Sequence, residues 1–383
     1  MKRRRSKSGQ QPSVLGTGLL ALDVVMGHQA GCKGVVPRLF AGGTCGNVLA
    51  ILAYLGWRAY PIARLNGDPA SEYVLQDLRR WQINLDFVSC GRTCSTPVVI
   101  EQIGRDHVGQ GYHRFSFRCP CCGAWLPTYR AVLASAIGHI VPKIEDANVF
   151  FFDRASRGAL DMARACAARG ALIVFEPSAN YEARLLEEAI GLAHILKYSD
   201  VRFTEAAASR TGHSPLLEIQ TRGSEGLYFR SRLRSSSTRE WQHLEAYDVA
   251  HVTDAAGAGD WCAAVVIEKL GRNGLKGFKT ASDSAIVDAL RYGQAAAAWN
   301  CAFEGARGGM YCTDPKAFHD EVNRIMKGNA PKTLIRDSSQ EAISRFFAGL
   351  CPACRRTDGS SSDNCRAKNK RRSSRPSNKA KCR

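Results

Sequence analysis

Short apolar segments alternate with longer amphipathic segments along most of the chain. Residues 149–152 and 171–175 are continuous apolar runs, which are typical of strands buried on both faces. Between them, residues 160–169 carry apolar side chains at helical spacing and end before Gly170, a common helix stop. This order of strand, helix and strand predicts βαβ units, and therefore a mostly parallel central sheet with helices on both faces.

The same alternation predicts further elements on both sides of this unit. Strands are predicted at 14–16, 60–65 and 194–196, and helices at 46–56, 72–81, 185–193, 204–210 and 261–270. The chain shows no internal repeat. We therefore expect one large α/β domain.

Residues 96–118 depart from this pattern. Segments 97–103 and 112–117 alternate apolar and polar side chains, as half-exposed strands do, and glycines separate them. They predict a small β-lid, about residues 92–120, inserted into the α/β body. A lid over a pocket excludes water from a reacting group.

The net charge of +18 is concentrated at the two ends of the 383-residue chain. Residues 2–7 carry +5 and residues 355–383 carry +9, since eleven Lys and Arg there outnumber Asp358 and Asp363. Two interpretations stay open for these ends: contact with nucleic acid or another polyanion, or simple solubilising tails.

The composition places the tails outside one folded body. The predicted organisation is a basic disordered tail (1–12), the α/β domain (13–330), an extension (331–354) and a second basic disordered tail (355–383). No apolar run approaches the roughly 20 residues that span a bilayer, and the N-terminus makes a poor signal peptide. We therefore expect a cytoplasmic protein without membrane contact.

The sharpest motif is residues 254–260, with the sequence DAAGAGD, ahead of the helix predicted at 261–270. Small residues let the backbone approach an anion, and N–H groups of Gly257, Ala258 and Gly259 at a helix start would point at it. Asp260 beside them could take a proton from an attacking hydroxyl. The alternative is a glycine-rich turn with Asp260 as a plain first-turn acid.

This motif resembles the Asp-Thr-x-Gly-Ala-Gly-Asp signature of the ribokinase-like (PfkB) carbohydrate kinases, with Ala255 in place of threonine. The resemblance continues in the family's order over about residues 13–325. It implies a ribokinase-like fold and an ATP- and Mg²⁺-dependent kinase that transfers the γ-phosphoryl group to a hydroxyl of a sugar or sugar-like molecule. It also implies Asp260 as the base and the amides of residues 257–259 as the anion hole.

The acceptor side is carried by residues 41–47, AGGTCGN, which resemble the family's Gly-Gly-x-x-x-Asn signature. The resemblance implies that Gly42, Gly43 and Asn47 bind the acceptor, together with Asp23 at the position of a sugar-binding aspartate. The competing interpretations are a surface position for Asp23 and a helix cap for Asn47.

The nucleotide side is carried by residues 221–226, TRGSEG, which are similar to the family's Thr-x-Gly-x-x-Gly turn. This implies nucleotide contacts by Thr221, Gly223 and Gly226. Asn300, in a late helix, is a further predicted contact, or else a core helix residue.

The chain departs from the family pattern after residues 197–200, KYSD, which align with a Lys-Pro-Asn run. The Asn-x-x-Glu element that serves magnesium is missing there, and whether the later Glu205 substitutes is left open. So is a monovalent cation beside the anion hole, which parts of the family have.

Fifteen cysteines include two Cys-x-x-Cys pairs, Cys119 with Cys122 and Cys351 with Cys354. Together they supply the four thiolates of a closed structural zinc site, which would hold the C-terminus near the lid. The alternatives are two independent reduced or redox pairs, or a zinc ion shared between the chains of a homodimer.

Two other functions stay open beside the carbohydrate kinase. One is a nucleoside kinase of the same fold, in which aromatic lid residues such as Phe115 stack on a base. The other is a nucleic-acid-associated binding protein that keeps the kinase fold, which the basic tails favour.

Overall fold

The computed structural model describes residues 11–26, 37–105, 111–144, 147–177, 182–201, 214–233, 240–249, 252–331 and 349–355. The helix predicted at 204–210 and Glu205 lie outside the described residues. Both predicted tails do so too, except for residues 11–12 of the first tail and Arg355 of the second.

Thirteen strands are found among these residues. In chain order they are β1 (Ser13–Thr17), β2 (Ala21–Met26), β3 (Arg38–Gly42), β4 (Arg58–Leu65), β5 (Val88–Cys90), β6 (Val98–Arg105), β7 (Gly111–Ser116), β8 (Val149–Phe152), β9 (Leu172–Phe175), β10 (Ile195–Ser199), β11 (Leu217–Thr221), β12 (Leu227–Ser231) and β13 (Gln242–Leu244).

The described helices surround these strands. They are α1 (Thr44–Tyr54), α2 (Pro69–Arg80), α3 (Ala134–Ile140), α4 (Arg157–Ala168), α5 (Ala183–Leu192), α6 (Ala258–Leu270), α7 (Gly274–Phe278), α8 (Asp283–Asn300), α9 (Pro315–Met326) and α10 (Pro352–Arg355). Within the described ranges, no helix combines the length and the apolar character needed to cross a bilayer.

Nine of the described strands form the central sheet, in the order β13-β12-β11-β10-β9-β8-β1-β4-β5. All neighbours from β11 to β5 are parallel, while β12 and β13 pair antiparallel at one edge. This confirms the predicted α/β fold with a mostly parallel sheet.

Strand β8 shows why helices cover both faces of this sheet. Its side chains alternate in direction, so that Phe150 and Phe152 belong to one apolar layer and Val149 and Phe151 to the other. All four are completely buried. The Phe152 ring stacks on Phe175 of β9 with centroids 4.5 Å apart.

An aromatic cluster joins the helices on one face. Trp261 of α6 meets Trp299 of α8 and Phe318 of α9 with ring centroids 5.0 and 5.1 Å apart. Tyr54 at the end of α1 packs against the same Trp261 at 6.1 Å. The cluster therefore sets the crossing of α1 and α6, the two helices that carry Asn47 and Asp260.

The lid is a second sheet, larger than the segment predicted for it. Four described strands form it in the order β3-β2-β6-β7, so two strands from before α1 join the predicted pair. The expected half-exposed alternation fails for β6, because Val98–Glu101 are all buried. Leu22, Val24 and Met26 of β2 and Val98 and Ile100 of β6 belong to the main core, and Ala21 and Val99 on the other face pack with Leu19.

His194 connects β9 to β10 in a way that depends on its protonation. Its backbone N–H donates to the Ile173 carbonyl, and its ring Nδ1 accepts from the Ile173 N–H, both at 2.9 Å. Burial, and then the nearby Lys279, lower the pKa of His194 to about 4. The neutral ring is therefore the form that the fold requires.

We expect acid to destabilise the protein partly through this residue. Between pH 6.5 and about 4 the unfolded chain binds a proton that the native chain does not, so the free energy of unfolding falls as pH falls. The His194→Asn variant keeps an acceptor near the same place but does not titrate, so its stability should fall less over this window. Urea unfolding at several pH values checks this, and equal pH slopes would contradict it.

Candidate active site

Polar residues collect at one edge of the central sheet. The parallel strands end there together, and Asp153 follows β8, Glu176 follows β9 and Thr221 ends β11. The chain also leaves β1 for the lid at this edge, through residues 18–20. In open α/β sheets ligands bind outside the carboxyl ends of the strands, so this edge is the place to look for a site.

The 254–260 segment forms a helix start, as its sequence predicts. Gly257 is the N-cap of α6 and has a left-handed backbone with φ of 73°. A Cβ atom there would lie 2.1 Å from the carbonyl oxygen of Ala306, so only glycine fits. Asp260 lies in the first turn of α6, beside amides whose N–H groups point out of the helix. The N–H of Ala258 makes a 3.3 Å turn bond to the Ala255 carbonyl.

Two buried side chains fasten this loop to a second loop, residues 305–306. The Asp254 carboxylate accepts from the N–H groups of Ala256 and Gly305, each at 2.8 Å. The Asn300 amide donates to the carbonyls of Ala256 at 3.2 Å and Ala306 at 3.1 Å. Asn300 is fully buried and holds the loop, while its nucleotide contact stays a prediction.

Asn47 and Asp260 meet directly. The Asn47 Nδ2 donates to Asp260 Oδ2 at 2.7 Å, and Asn47 is 3% exposed. The N-cap of α1 is Gly43, so the helix-cap interpretation of Asn47 is wrong. Among the described residues the Oδ1 of Asn47 is buried and has no hydrogen-bond partner. The Asn47 Nδ2 therefore holds the Asp260 carboxylate, and the Asn47 Oδ1 can accept a hydrogen bond from a further donor.

Asp23 explains the first glycine of the AGGTCGN segment, Gly42. It lies on β2 and is buried, which rules out the surface interpretation. A Cβ atom on Gly42 would lie 1.7 Å from Asp23 Oδ2, and one on Gly43 would lie 2.4 Å from the Leu19 carbonyl oxygen. The Gly43 N–H donates to the Asp23 carboxylate. Gly42 thus makes room for a buried acid, and Gly43 makes room for the backbone of Leu19.

Further charged groups surround Asp23. Burial chiefly raises the pKa of Asp23 well above its usual value; Glu101 and Asp260 add to this shift and Arg307 opposes it. Arg307 is 2% exposed, and its guanidinium donates to the Ala41 carbonyl and to Asp77. Glu101 lies on the same face of the lid as Asp23, since Asp23 pairs with Val99 two residues away.

An ion pair stands beside the start of α6. Lys197 of β10 is 2% exposed and its Nζ lies 2.6 Å from Glu176 Oε1. A Cβ atom on Gly259 would lie 3.4 Å from this Nζ. Burial lowers the pKa of Lys197, but Glu176, Cys262 and Asp260 together outweigh burial, so the pKa is raised. A charged ammonium therefore lies next to the helix terminus that was predicted to bind an anion.

Sequence reasoning missed Lys197, Glu176, Glu101 and Arg307 as site residues. The available signal was a lysine in the middle of a strand that is otherwise apolar, because charged side chains are rarely buried without a functional or structural partner. Glu101 in β6 carries the same signal. Nothing in their local sequence indicated the roles of Glu176 and Arg307.

The predicted nucleotide turn lies farther along the same edge. Thr221 ends β11 opposite Ser199 of β10, the strand that carries Lys197. Gly223 and Gly226 have φ of 56° and 93°, and the Arg222 N–H donates to the Gly226 carbonyl at 2.8 Å. They form a tight turn between β11 and β12.

The two Cys-x-x-Cys pairs come together within one chain. The Sγ atoms of Cys119 and Cys354 are 3.8 Å apart, and those of Cys122 and Cys351 are 3.6 Å apart. All four sulfur atoms lie within 4.8 Å of one another, a group that could hold a metal ion. A second chain is not needed to complete it.

Solved structures share this architecture over nearly their whole length. A nucleoside kinase from Burkholderia thailandensis, in complex with inosine, matches with a TM-score of 0.59 and 18% identity, over 84% of this chain and 100% of its own. A fructokinase from Xylella fastidiosa with bound ATP matches with a TM-score of 0.60 and 17% identity, over 82% of this chain and 98% of its own. The chain has the ribokinase fold.

A ribokinase from Giardia lamblia extends this likeness, with a TM-score of 0.62 and 14% identity over 82% of this chain and 99% of its own. No protein-family model and no curated protein sequence matches the chain. At these identities the ribokinase fold is what the structures share, and the chemistry has to be argued from the residues.

We expect the Lys197–Glu176 pair to be important for stability. Glu176→Gln leaves the buried ammonium without its carboxylate, which should cost about 3–5 kcal/mol in the free energy of unfolding. Glu72→Gln breaks an exposed pair with Arg79, whose side chain is 55% exposed, and should cost at most about 1 kcal/mol. Urea unfolding of both variants checks this, and equal small losses would contradict it.

Proposed function

We propose that this protein is an ATP-dependent kinase that phosphorylates a hydroxyl of a sugar or sugar-like molecule. The observation that carries the proposal is the 2.7 Å hydrogen bond from Asn47 to Asp260. It joins the segment predicted to hold the acceptor to the helix start predicted to hold the transferred phosphoryl group. The ribokinase fold of the solved sugar and nucleoside kinases supports the same assignment.

Asp260 is the proposed base. As the acceptor oxygen attacks the γ-phosphorus, a new O–P bond forms, the bond to the ADP oxygen breaks, and the hydroxyl proton passes to the Asp260 carboxylate. The Asn47 amide holds that carboxylate in place. Asp23 also lies close enough to Asp260 to interact with it.

Charge on the transferred group would be stabilised by fixed groups. The amides of Gly257, Ala258 and Gly259 at the start of α6 are the proposed anion hole, and Lys197 adds a positive charge beside Gly259. Such groups need no rearrangement during the reaction. Thr221, Gly223, Gly226 and Asn300 are the proposed nucleotide contacts.

Magnesium would accompany the nucleotide and neutralise part of its phosphate charge. Glu176 fits this role, since carboxylate oxygens are the ligands that Mg²⁺ prefers and its Oε2 is buried without a hydrogen-bond partner among the described residues. Glu176 would then replace the missing Asn-x-x-Glu element. A monovalent cation stays a prediction from the family resemblance.

The lid supports a polyhydroxylated acceptor. Asp23 and Asn47 provide carboxylate and amide oxygens that accept from hydroxyl groups, and Gly42 and Gly43 bring the backbone close. Phe115 lies opposite Glu101 on β7, on the face of the lid that carries Asp23, and is 41% exposed. An accessible ring there suits the apolar face of a sugar or a nucleobase, so a nucleoside kinase is the second candidate.

We expect acceptor-dependent release of ADP from MgATP when a panel of sugars and nucleosides is tested. Asp260→Asn should keep nucleotide binding and lower turnover by about 100-fold or more, because the base is lost. The acceptor that supports release decides between the two candidate classes.

Asp283→Asn is the matched control, since Asp283 is a first-turn acid of α8 outside the site, and its turnover should be unchanged. Normal turnover in Asp260→Asn would remove Asp260 from the mechanism. Bound ATP without release for any acceptor would favour a binding protein that keeps the kinase fold.

A further inference from the structure

Four cysteine thiols meet although the two pairs lie more than 200 residues apart in sequence. One pair follows lid strand β7. In the other, Cys351 precedes α10 and Cys354 lies within it, in the last described segment, residues 349–355. Three of the four, Cys119, Cys351 and Cys354, are buried in the main core. The fold therefore places all four side chains at one point.

The sulfur spacing fits one tetrahedral metal ion. With Zn–S bonds of about 2.3 Å, the sulfur atoms of a tetrahedral site are about 3.8 Å apart. The two cross pairs measure 3.8 and 3.6 Å, and all distances are within 4.8 Å. A disulfide bond would need about 2.05 Å, so neither pair is at bonding distance.

We infer that Cys119, Cys122, Cys351 and Cys354 bind a structural zinc ion that fastens residues 349–355 to the segment leaving the lid. Four thiolates form a closed site without an open position, so the ion would stabilise structure rather than take part in phosphoryl transfer. We call this group the zinc clasp.

The backbone around the first pair suits a charged thiolate. The N–H groups of Cys121 and Cys122 donate to the sulfur of Cys119, and the Ala124 N–H donates to that of Cys122. Gly123, with φ of 72°, closes the turn, and its N–H donates to the Cys119 carbonyl at 2.8 Å. Hydrogen bonds to ligand atoms orient them and support their charge.

A guanidinium also stands beside the clasp. One zinc ion with four thiolates carries a net charge of about −2. The Arg118 Nη1 donates to the Gly123 carbonyl at 3.1 Å, and its guanidinium stacks on Trp125 at 4.3 Å from the ring centroid. Arg118 therefore offsets part of this charge and explains why Trp125, 61% exposed, is held at the surface.

The clasp lies at the base of the lid. The chain enters it from β7 and returns, with the Leu126 N–H bonded to the Phe117 carbonyl at 2.9 Å. The next residue, Pro127, accepts from the Val98 N–H at the start of β6 at 3.1 Å. Zinc would thus fix the ends of two lid strands. If the proposed kinase activity holds, loss of the zinc ion should raise the KM for the acceptor more than it lowers kcat.

Metal content of the full chain tests the inference directly. Elemental analysis of the protein purified under reducing conditions should give about one zinc ion per chain. Cys351→Ser with Cys354→Ser removes half of the ligands from the last described segment and should abolish zinc binding. Cys121→Ser is the matched control, because Cys121 lies inside the first turn but outside the four-cysteine group, and it should keep the zinc.

Cys122→Ser separates loss of zinc from a failure to fold, since Cys122 is exposed and its replacement disturbs no core packing. It should also lose the zinc while remaining folded. Chelation should lower the Tm of the wild-type chain and speed amide exchange at residues 117–126 and 349–355, and should leave the double variant unchanged.

Several results would overturn the inference. They are a metal-free wild-type chain with four reactive thiols, disulfide bonds detected by mass, bound iron in place of zinc, or zinc retained by the double variant. These readouts do not require activity, so an inactive protein that binds zinc would refute only the proposed kinase.

Discussion

The contact on which the site depends is the hydrogen bond between Asn47 and Asp260, 213 residues apart in sequence. It can form only because α1 and α6 begin at the same place, and the packing of Tyr54 against Trp261 sets how these helices cross. The amide belongs to the acceptor segment and the carboxylate to the helix start. A buried aromatic core thus determines the geometry of a polar site several residues away.

Buried charge is balanced locally around this contact. Arg307 lies near the acids Asp23 and Asp77, while Lys197 is paired with Glu176. Removing one partner from such a group leaves the other buried and uncompensated, which costs more than the pair contributes. These buried charges lie at the edge of the sheet, where a bound anion and its metal ion would add a negative and a positive charge.

Much of the fold could be predicted from local patterns. The strand at 149–152 was predicted with the same bounds, and the 254–260 segment was predicted to open a helix, because apolar runs and glycine motifs act through nearest neighbours. The lid was underestimated, since β2 joins it by pairing with β6 more than 70 residues away, and β3 joins it by pairing with β2. The sequence of one strand does not show which distant strand it pairs with, or in which register.

The site residues divide in the same way. Asp260 and the two glycines before Asn47 stood in recognisable motifs, whereas Glu176 and Arg307 gained their roles only from tertiary contacts. Asn300 was predicted to be either a nucleotide contact or a core helix residue. It is fully buried, and its amide nitrogen donates to backbone carbonyls of the two loops, a role that depends on tertiary contacts.

The loop at residues 304–307 links the two halves of the proposed reaction. On one side it supports the anion hole, because Gly305 donates to Asp254 and Ala306 limits residue 257 to glycine. On the other side it holds the lid, because Phe40 packs on Gly305 and Arg307 donates to the Ala41 carbonyl. A shift of the lid toward an acceptor must therefore act on the same loop that positions the start of α6. Acceptor binding and phosphate alignment would then be coupled through packing that is already present.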